Sequence, residues 1–155
     1  MPKIKPWIVH SYSASYPHCV QGQLSRKVVM AKVFIIEDNA TIAKIWKFQL
    51  ERTGHEVTVA SRGAEALELV GNVIPDIILT DLMLPGMNGF EVVQKLRGRE
   101  DTKDIPIIIL TATSSHQSKE RAALMGIHRY IVKSECTPRQ LGEAVTAALS
   151  AAKTN

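Results

Sequence analysis

From Lys32 onward the chain alternates short apolar runs with longer stretches of helical period. Val33–Ile36 is continuously apolar and of strand length, as a strand buried on both faces would be. Ile42, Ile45, Trp46 and Leu50 then recur at helical spacing, and Gly54 supplies a C-terminal stop. Glu56–Ala60 alternates apolar and polar residues, the pattern of an edge strand covered on one face. Ala64–Val70 reads as a helix ended by Gly71, and Asp76–Thr80 as a second apolar strand. Gly89–Arg97 reads as a helix with Phe90, Val93 and Leu96 on one side. Ile105–Leu110 is the most apolar run, a weaker helix covers His116–Met125, and Tyr130–Val132 makes the last strand. From Pro138 a final helix sets Leu141, Ala144, Val145, Ala148 and Leu149 along one stripe. Five alternations of strand and helix with short connections predict a parallel sheet with helices on both faces, because parallel neighbours need crossovers.

The apolar runs end in an informative set of residues. Val33–Ile36 runs into Glu37-Asp38, Ile77–Leu79 through Thr80 into Asp81, Ile107–Leu110 into Thr111, and Tyr130–Val132 into Lys133. Singly, each ending has an ordinary explanation: Asp as a turn former or cap, Thr as a cap, Lys as a solvated head. Four of them in order on four core strands are hard to reach by chance. Ligands of open α/β sheets bind beyond the carboxyl ends of the strands, where strand order reverses. If the first and third strands are neighbours, Glu37, Asp38 and Asp81 converge. Carboxylates so placed repel one another and call for a cation, and a hard ion such as Mg²⁺ suits an all-oxygen pocket. Lys133 and Thr111 add a fixed positive charge and a hydroxyl, both suited to a transferring phosphoryl group. The set amounts to a carboxylate nucleophile, a metal and a cationic clamp.

Composition narrows the alternatives. The chain has 155 residues, enough for one ordinary domain. No apolar run nears the ~20 residues of a membrane span, and Trp7–Val9 is too short for a signal peptide core. The formal charge of +4 suggests nucleic acid, but four of the nineteen basic residues lie in residues 1–29, which hold no Asp or Glu. That leaves fifteen basic against fifteen acidic residues in the body, with no basic face. Residues 1–29 have no sustained period and read as a disordered or loosely attached extension. The domain is expected over residues 30–152, with 153–155 a tail. Cys19 and Cys136 form neither a disulfide framework nor a metal spacing, so a cytoplasmic setting fits.

The order IIED, LTDLMLPGMNGFE, IIILTAT and YIVK resembles the response-regulator receiver family over nearly all of residues 31–151. The resemblance implies a flavodoxin-like (βα)5 doubly wound sheet of five parallel strands in the order 2-1-3-4-5. It implies Asp81 as phosphoacceptor, Asp38 as direct Mg²⁺ ligand, Glu37 acting through metal-bound water, and the Met83 carbonyl as a third protein ligand. Thr111 and Lys133 would contact the phosphoryl group, and Tyr130 would be the aromatic residue whose rotation reports it. On the resemblance, Met83 and Thr113 occupy positions that tune phosphate lifetime in the family. The implied partners are a sensor histidine kinase or histidine phosphotransfer protein and a downstream protein target. That target would meet the face of the fourth helix, fifth strand and fifth helix. No output domain is expected after the last helix, so no direct DNA binding is expected and the protein would be a monomer or weak dimer. Catalysis would be limited to its own aspartyl phosphorylation and dephosphorylation, so it is not an enzyme with turnover.

Some positions depart from the family pattern. Ser134 stands where Pro follows the lysine, which leaves the state of the Lys133–Ser134 peptide bond open. His128 and Arg129 replace acids used for dimer salt bridges, which disfavours that dimer. His128 reads as a solvated loop residue, Cys136 as a free structural cysteine and Trp46 as core. A second reading is a pseudo-receiver that works without phosphorylation as a scaffold, though such proteins lack one of the positions kept here. A phosphatase of the haloacid dehalogenase type would want Asp-x-Asp on its first strand. A flavin protein would want a Ser/Thr/Gly-rich loop there, where this chain is acidic.

Overall fold

Every apolar run becomes a strand, and every α-helix but the second starts on a side chain that accepts from its first free amides. The computed structural model describes residues 30–154, so the leader and Cys19 lie outside the described residues. In chain order the elements are β1 (Lys32–Ile36), α1 (Ala40–Arg52), β2 (Glu56–Ala60), α2 (Gly63–Val73), β3 (Ile77–Asp81) and α3 (Gly89–Arg97). They continue with β4 (Ile107–Thr111), α4 (His116–Leu124), β5 (Arg129–Val132), a 3-10 turn at Lys133–Glu135, and α5 (Pro138–Ala152). Asn39 caps α1 by accepting from the Thr41 and Ile42 amides. Asn88 with Glu91, and Thr137 with Gln140, form reciprocal capping boxes on α3 and α5.

The five strands are parallel in the order β2-β1-β3-β4-β5, as the resemblance implied. Odd and even positions of β1 face different layers. Val33 and Ile35 pack with Trp46, Leu50, Leu141 and Val145 under α1 and α5. Phe34 and Ile36 pack with Ala66, Val70, Val92 and Leu96 under α2 and α3. With both faces covered, these strands have no solvent side, which is why they read as unbroken apolar runs. The stripe predicted for α5 is buried throughout, and Trp46 is core.

Two expectations change in detail, and one point left open is decided. Ile45 is 47% exposed, because Ala43 shares the inward face of α1 with Trp46 and Leu50. Gly71 does not stop α2, which runs on to Val73 and closes with Ile74 left-handed at φ 43°. A methyl at Gly71 would lie 2.9 Å from Arg99 Nη2, whose guanidinium donates to the Leu67 carbonyl through Nη1 at 3.0 Å. The glycine therefore lets α3's neighbour segment cross α2 closely. The Lys133–Ser134 bond is trans, as are all peptide bonds among the described residues.

α4 is the most thinly attached helix: Ala122 is its one buried residue. It sits over a small cluster of Leu82, Phe90 and Ile109, and Arg121 stacks 4.6 Å from the Phe90 ring centroid.

His55, between α1 and β2, is buried with its Nδ1 unpartnered. Burial holds its imidazole below the ordinary value of 6.5. The folded state thus binds fewer protons than the unfolded state as pH falls past 6.5. Its stability contribution is full above that pH and is lost on acidification toward the lower folded pKa. Urea midpoints of the protein should fall between pH 7.5 and 5, and His55→Leu should flatten that decline. An unchanged slope in the variant would assign the acid sensitivity elsewhere.

Candidate functional site

Strand register gathers the site. Ile36 pairs with Thr80, so Glu37 and Asp81 are the next residues along neighbouring strands. Asp81 pairs with Leu110 and Thr111 with Val132, which puts Thr111 and then Lys133 one step further along the same edge. One carboxylate oxygen from each of Glu37, Asp38 and Asp81 can be chosen so that all lie within 4.8 Å of one another. Glu37, Asp81 and Thr111 are buried, whereas Asp38 is exposed.

Lys133 closes the pocket. Its Nζ donates to Glu37 Oε2 at 2.5 Å and to Asp81 Oδ2 at 2.6 Å. Burial alone would push this ammonium down, but the hydrogen bonds to Asp81 and Glu37 outweigh it and hold the pKa above its ordinary value. Burial pushes the Glu37 carboxyl up, an effect that Lys133 opposes. The lysine therefore stays charged. Three carboxylates against one ammonium leave a formal excess of two negative charges, which matches a divalent cation.

The other oxygens have partners too. The Asn39 amide donates to Glu37 Oε1 at 3.2 Å, and the Met83 amide donates to Asp81 Oδ1 at 3.1 Å. Among the described residues, no hydrogen bond reaches the Asp38 carboxylate or the Met83 carbonyl. The hard oxygen donors of Glu37, Asp38 and Asp81 fit a divalent cation such as Mg²⁺. Met83's side chain is 70% exposed at the pocket rim.

Thr111 and Tyr130 are linked through one intervening residue. Thr113 N–H approaches Thr111 Oγ1 at 3.4 Å, and the Tyr130 hydroxyl donates to the Thr113 carbonyl at 3.2 Å. Tyr130 is half-buried beside the Leu82–Phe90–Ile109 cluster under α4. Sequence reasoning saw Thr113 only as a position of lifetime tuning and missed its backbone as the link. It also missed the second use of Asn39, although an Asx residue after the acidic pair signals a helix cap. Cys136 is free and half-buried, burial pushes its thiol up, and it packs against the α1–α5 layer. His128 is exposed.

The loop after β3 owes its course to two glycines. Gly86 takes φ +81°, a left-handed conformation fitting its place after Pro85 in a tight turn. Gly89 opens α3 against the acceptor strand, and a methyl on it would lie 2.1 Å from the Asp81 carbonyl oxygen.

Among the described residues, no helix is long and apolar enough to cross a membrane. The family described as response regulator receiver domain matches residues 33–146. The phosphate regulon transcriptional regulatory protein PhoB of Rhizobium meliloti is 35% identical over 125 residues, covering 81% of this chain and 55% of that protein. The polar-differentiation response regulator DivK of Brucella ovis is 36% identical over 107 residues, covering 69% of this chain and 87% of its own length. The chain thus spans about half the length of the first curated relatives it matches, and most of DivK. Among solved structures, chemotaxis protein CheY4 of Vibrio cholerae is similar at a TM-score of 0.73 and 31% identity, covering 77% of this chain and 98% of that one. A CheY-like receiver domain protein of Methanospirillum hungatei is similar at a TM-score of 0.75 and 26% identity, covering 81% and 98%. Fold, acidic pocket and these matches agree: the chain belongs to the response regulator receiver family of two-component signalling.

Proposed function

We propose that Asp81 takes a phosphoryl group from a phosphohistidine of a sensor kinase or phosphotransfer protein, and that the receiver body comprises residues 30–152. The observation that carries this reading is the pocket itself: a buried acceptor carboxylate held by Lys133, beside an open acidic ligand, with an excess of two negative charges. Asp38, Asp81 and the Met83 carbonyl would hold Mg²⁺, with Glu37 reaching it through water. That ion, when bound, neutralises charge on the phosphoryl oxygens in flight.

In the transfer the donor's N–P bond breaks as an Asp81 oxygen forms a new O–P bond. Lys133 faces the incoming oxygens with a fixed ammonium, and the Met83 amide keeps the carboxylate oriented. The Thr111 hydroxyl turns toward the phosphoryl group and gives up its contact with the Thr113 amide. Thr113 also holds Tyr130, so its backbone carries the change to α4 and β5. The thin attachment of α4 supports the α4-β5-α5 face as the surface that a downstream protein reads. The reaction is confined to the protein's own aspartate, in a monomer or weak dimer acting in the cytoplasm.

Intact mass after incubation with acetyl phosphate tests this. One added phosphoryl mass is expected with Mg²⁺ present, and none without it or in Asp81→Asn. If the wild type gains nothing at donor levels that modify a control receiver, the scaffold reading takes its place.

A further inference from the structure

We infer that Arg121, stacked on the Phe90 ring, is a latch that holds α4 in its resting place and that phosphorylation has to release; this rests on the phosphoacceptor reading above. The resting place is the one in which Lys133 donates directly to Asp81. The Arg121 guanidinium lies 4.6 Å from the ring centroid, its one polar or charged contact among the described residues. Arg52 over Phe48, at 5.7 Å, is a similar pair, but it lies within α1 and joins nothing. Arg121 and Phe90 join two helices. Phe90 is a fixed platform, 7% exposed and packed with Leu82 and Ile109. It follows Gly89, whose amide donates to the Leu82 carbonyl at 2.9 Å, and Leu82 follows Asp81. The ring therefore moves with the acceptor strand. α4 buries Ala122 alone, so a cation on a buried ring is a large share of what keeps it down.

The two ends of α4 are held differently. Past its C-terminal end, Arg97 of α3 donates from Nη2 to the Gly126 carbonyl at 3.3 Å, and from Nη1 to the Lys103 and Ile105 carbonyls at 2.8 Å each. The Ile127 amide donates to the Ala122 carbonyl at 3.1 Å and the His128 amide to the Ile107 carbonyl at 2.8 Å. The start of α4 has local bonds instead, between Ser115 and Ser118 and from the Lys119 amide to the Ser115 carbonyl. The helix is thus anchored at Gly126 and able to swing at Ser115. The change that begins at Thr111 and Thr113 arrives at the swinging end, two residues before the cap. Arg121 sits between anchor and swinging end, and resists the swing with the strength of one cation–π contact. Breaking that contact shifts the resting population toward the arrangement that goes with phosphorylation. By linkage, Asp81 is then phosphorylated faster.

The test is Arg121→Gln in the full chain, with Arg121→Lys and Phe90→Leu beside it. At saturating Mg²⁺, labelling by acetyl phosphate should run about two- to fivefold faster in Arg121→Gln, the change that loss of one exposed cation–π contact produces. Arg121→Lys keeps a cation and should fall between that variant and the wild type. Phe90→Leu keeps the apolar burial but removes the ring. In its background Arg121→Gln should add nothing, whereas an effect of the arginine on the α4 dipole would persist there. Hydrogen exchange of the unphosphorylated protein should quicken in Arg121→Gln at the Lys119 amide and hold at the Ile127 and His128 amides, on the anchored side. Labelling no faster than wild type, or an equal effect with and without the ring, would overturn the latch. So would exchange that quickens uniformly through Ile127 and His128, the mark of a general loss of stability. If the wild type takes no phosphoryl group, the acceptor reading fails by itself. The exchange pattern then still decides whether Arg121 pins the start of α4.

Discussion

Gly89→Ala should disable the acceptor and unsettle the fold together. The added methyl would sit 2.1 Å from the Asp81 carbonyl oxygen, 2.9 Å from the Leu82 α-carbon and 3.0 Å from the Asp81 carbonyl carbon. All three are backbone atoms, so no rotamer change relieves the clash. Either α3 lifts off the sheet or the end of β3 shifts. Lifting α3 breaks the bond from the Gly89 amide to the Leu82 carbonyl and loosens Phe90, Val92 and Val93 from their layers. Shifting β3 moves Asp81 away from Lys133. Overpacking with such rigid neighbours costs about 3 kcal/mol or more. A domain of ordinary stability has only ~5–15 kcal/mol in hand. Urea denaturation with parallel acetyl phosphate labelling checks both effects. A variant with wild-type midpoint and labelling would mean that α3 moves more freely than the contact implies. Gly86→Ala, at a left-handed residue with nothing within 4 Å, should be milder, since only its backbone is strained.

Lys133→Met should leave the fold formed but cost most of the transfer rate. Without the ammonium, the phosphoryl oxygens meet no fixed cation among the described residues besides the metal, and rate losses on the order of 10²–10³ follow the removal of such a group. Glu37 and Asp81 would then sit buried without their shared partner. The expected stability loss at neutral pH is about 2–3 kcal/mol, below the figure for a fully enclosed pair because the lysine touches water. The pH dependence is distinctive. Burial already raises Glu37, and losing Lys133 removes the bonds that lower it, so its folded pKa rises further above the ordinary 4.5. The folded state then binds more protons than the unfolded state above that pH. Stability therefore falls as pH rises from 4.5 through the raised value, and recovers on acidification. Urea midpoints of the variant should be higher at pH 5 than at pH 8, and Mg²⁺ should restore part of the loss at pH 8. A variant equally stable at both pH values would show that Glu37 finds another partner.

The balance between sequence and tertiary structure follows from what each kind of residue must satisfy. A parallel strand covered on both faces has to be apolar along its length, so the first polar residue after it marks the carboxyl end. That is why Glu37, Asp38, Asp81, Thr111 and Lys133 were legible before any coordinates, and why the helical stripe of α5 came out complete. Strand order itself was not legible from periodicity, since nothing in an apolar run names its neighbour; it rested on the motif resemblance.

What remained belongs to distance in space. The Lys133–Glu37 bond spans 96 positions, and the Tyr130–Thr113 link passes through a carbonyl that every residue has. Gly71 looked like a stop because glycine ends many helices, yet α2 runs past it, and the tip of Arg99 from the segment after α3 lies close over it. Ile45 fitted the apolar period of α1, but inward positions are allotted by the facing layer, which took Ala43 instead. Sequence by itself determined which groups stand at the ends of the strands, because burial dictates residue type one strand at a time. Only the tertiary structure decided which of those groups share a proton donor or a cation, because hydrogen bonds and ion pairs are set by separations of a few ångströms between atoms far apart in the chain.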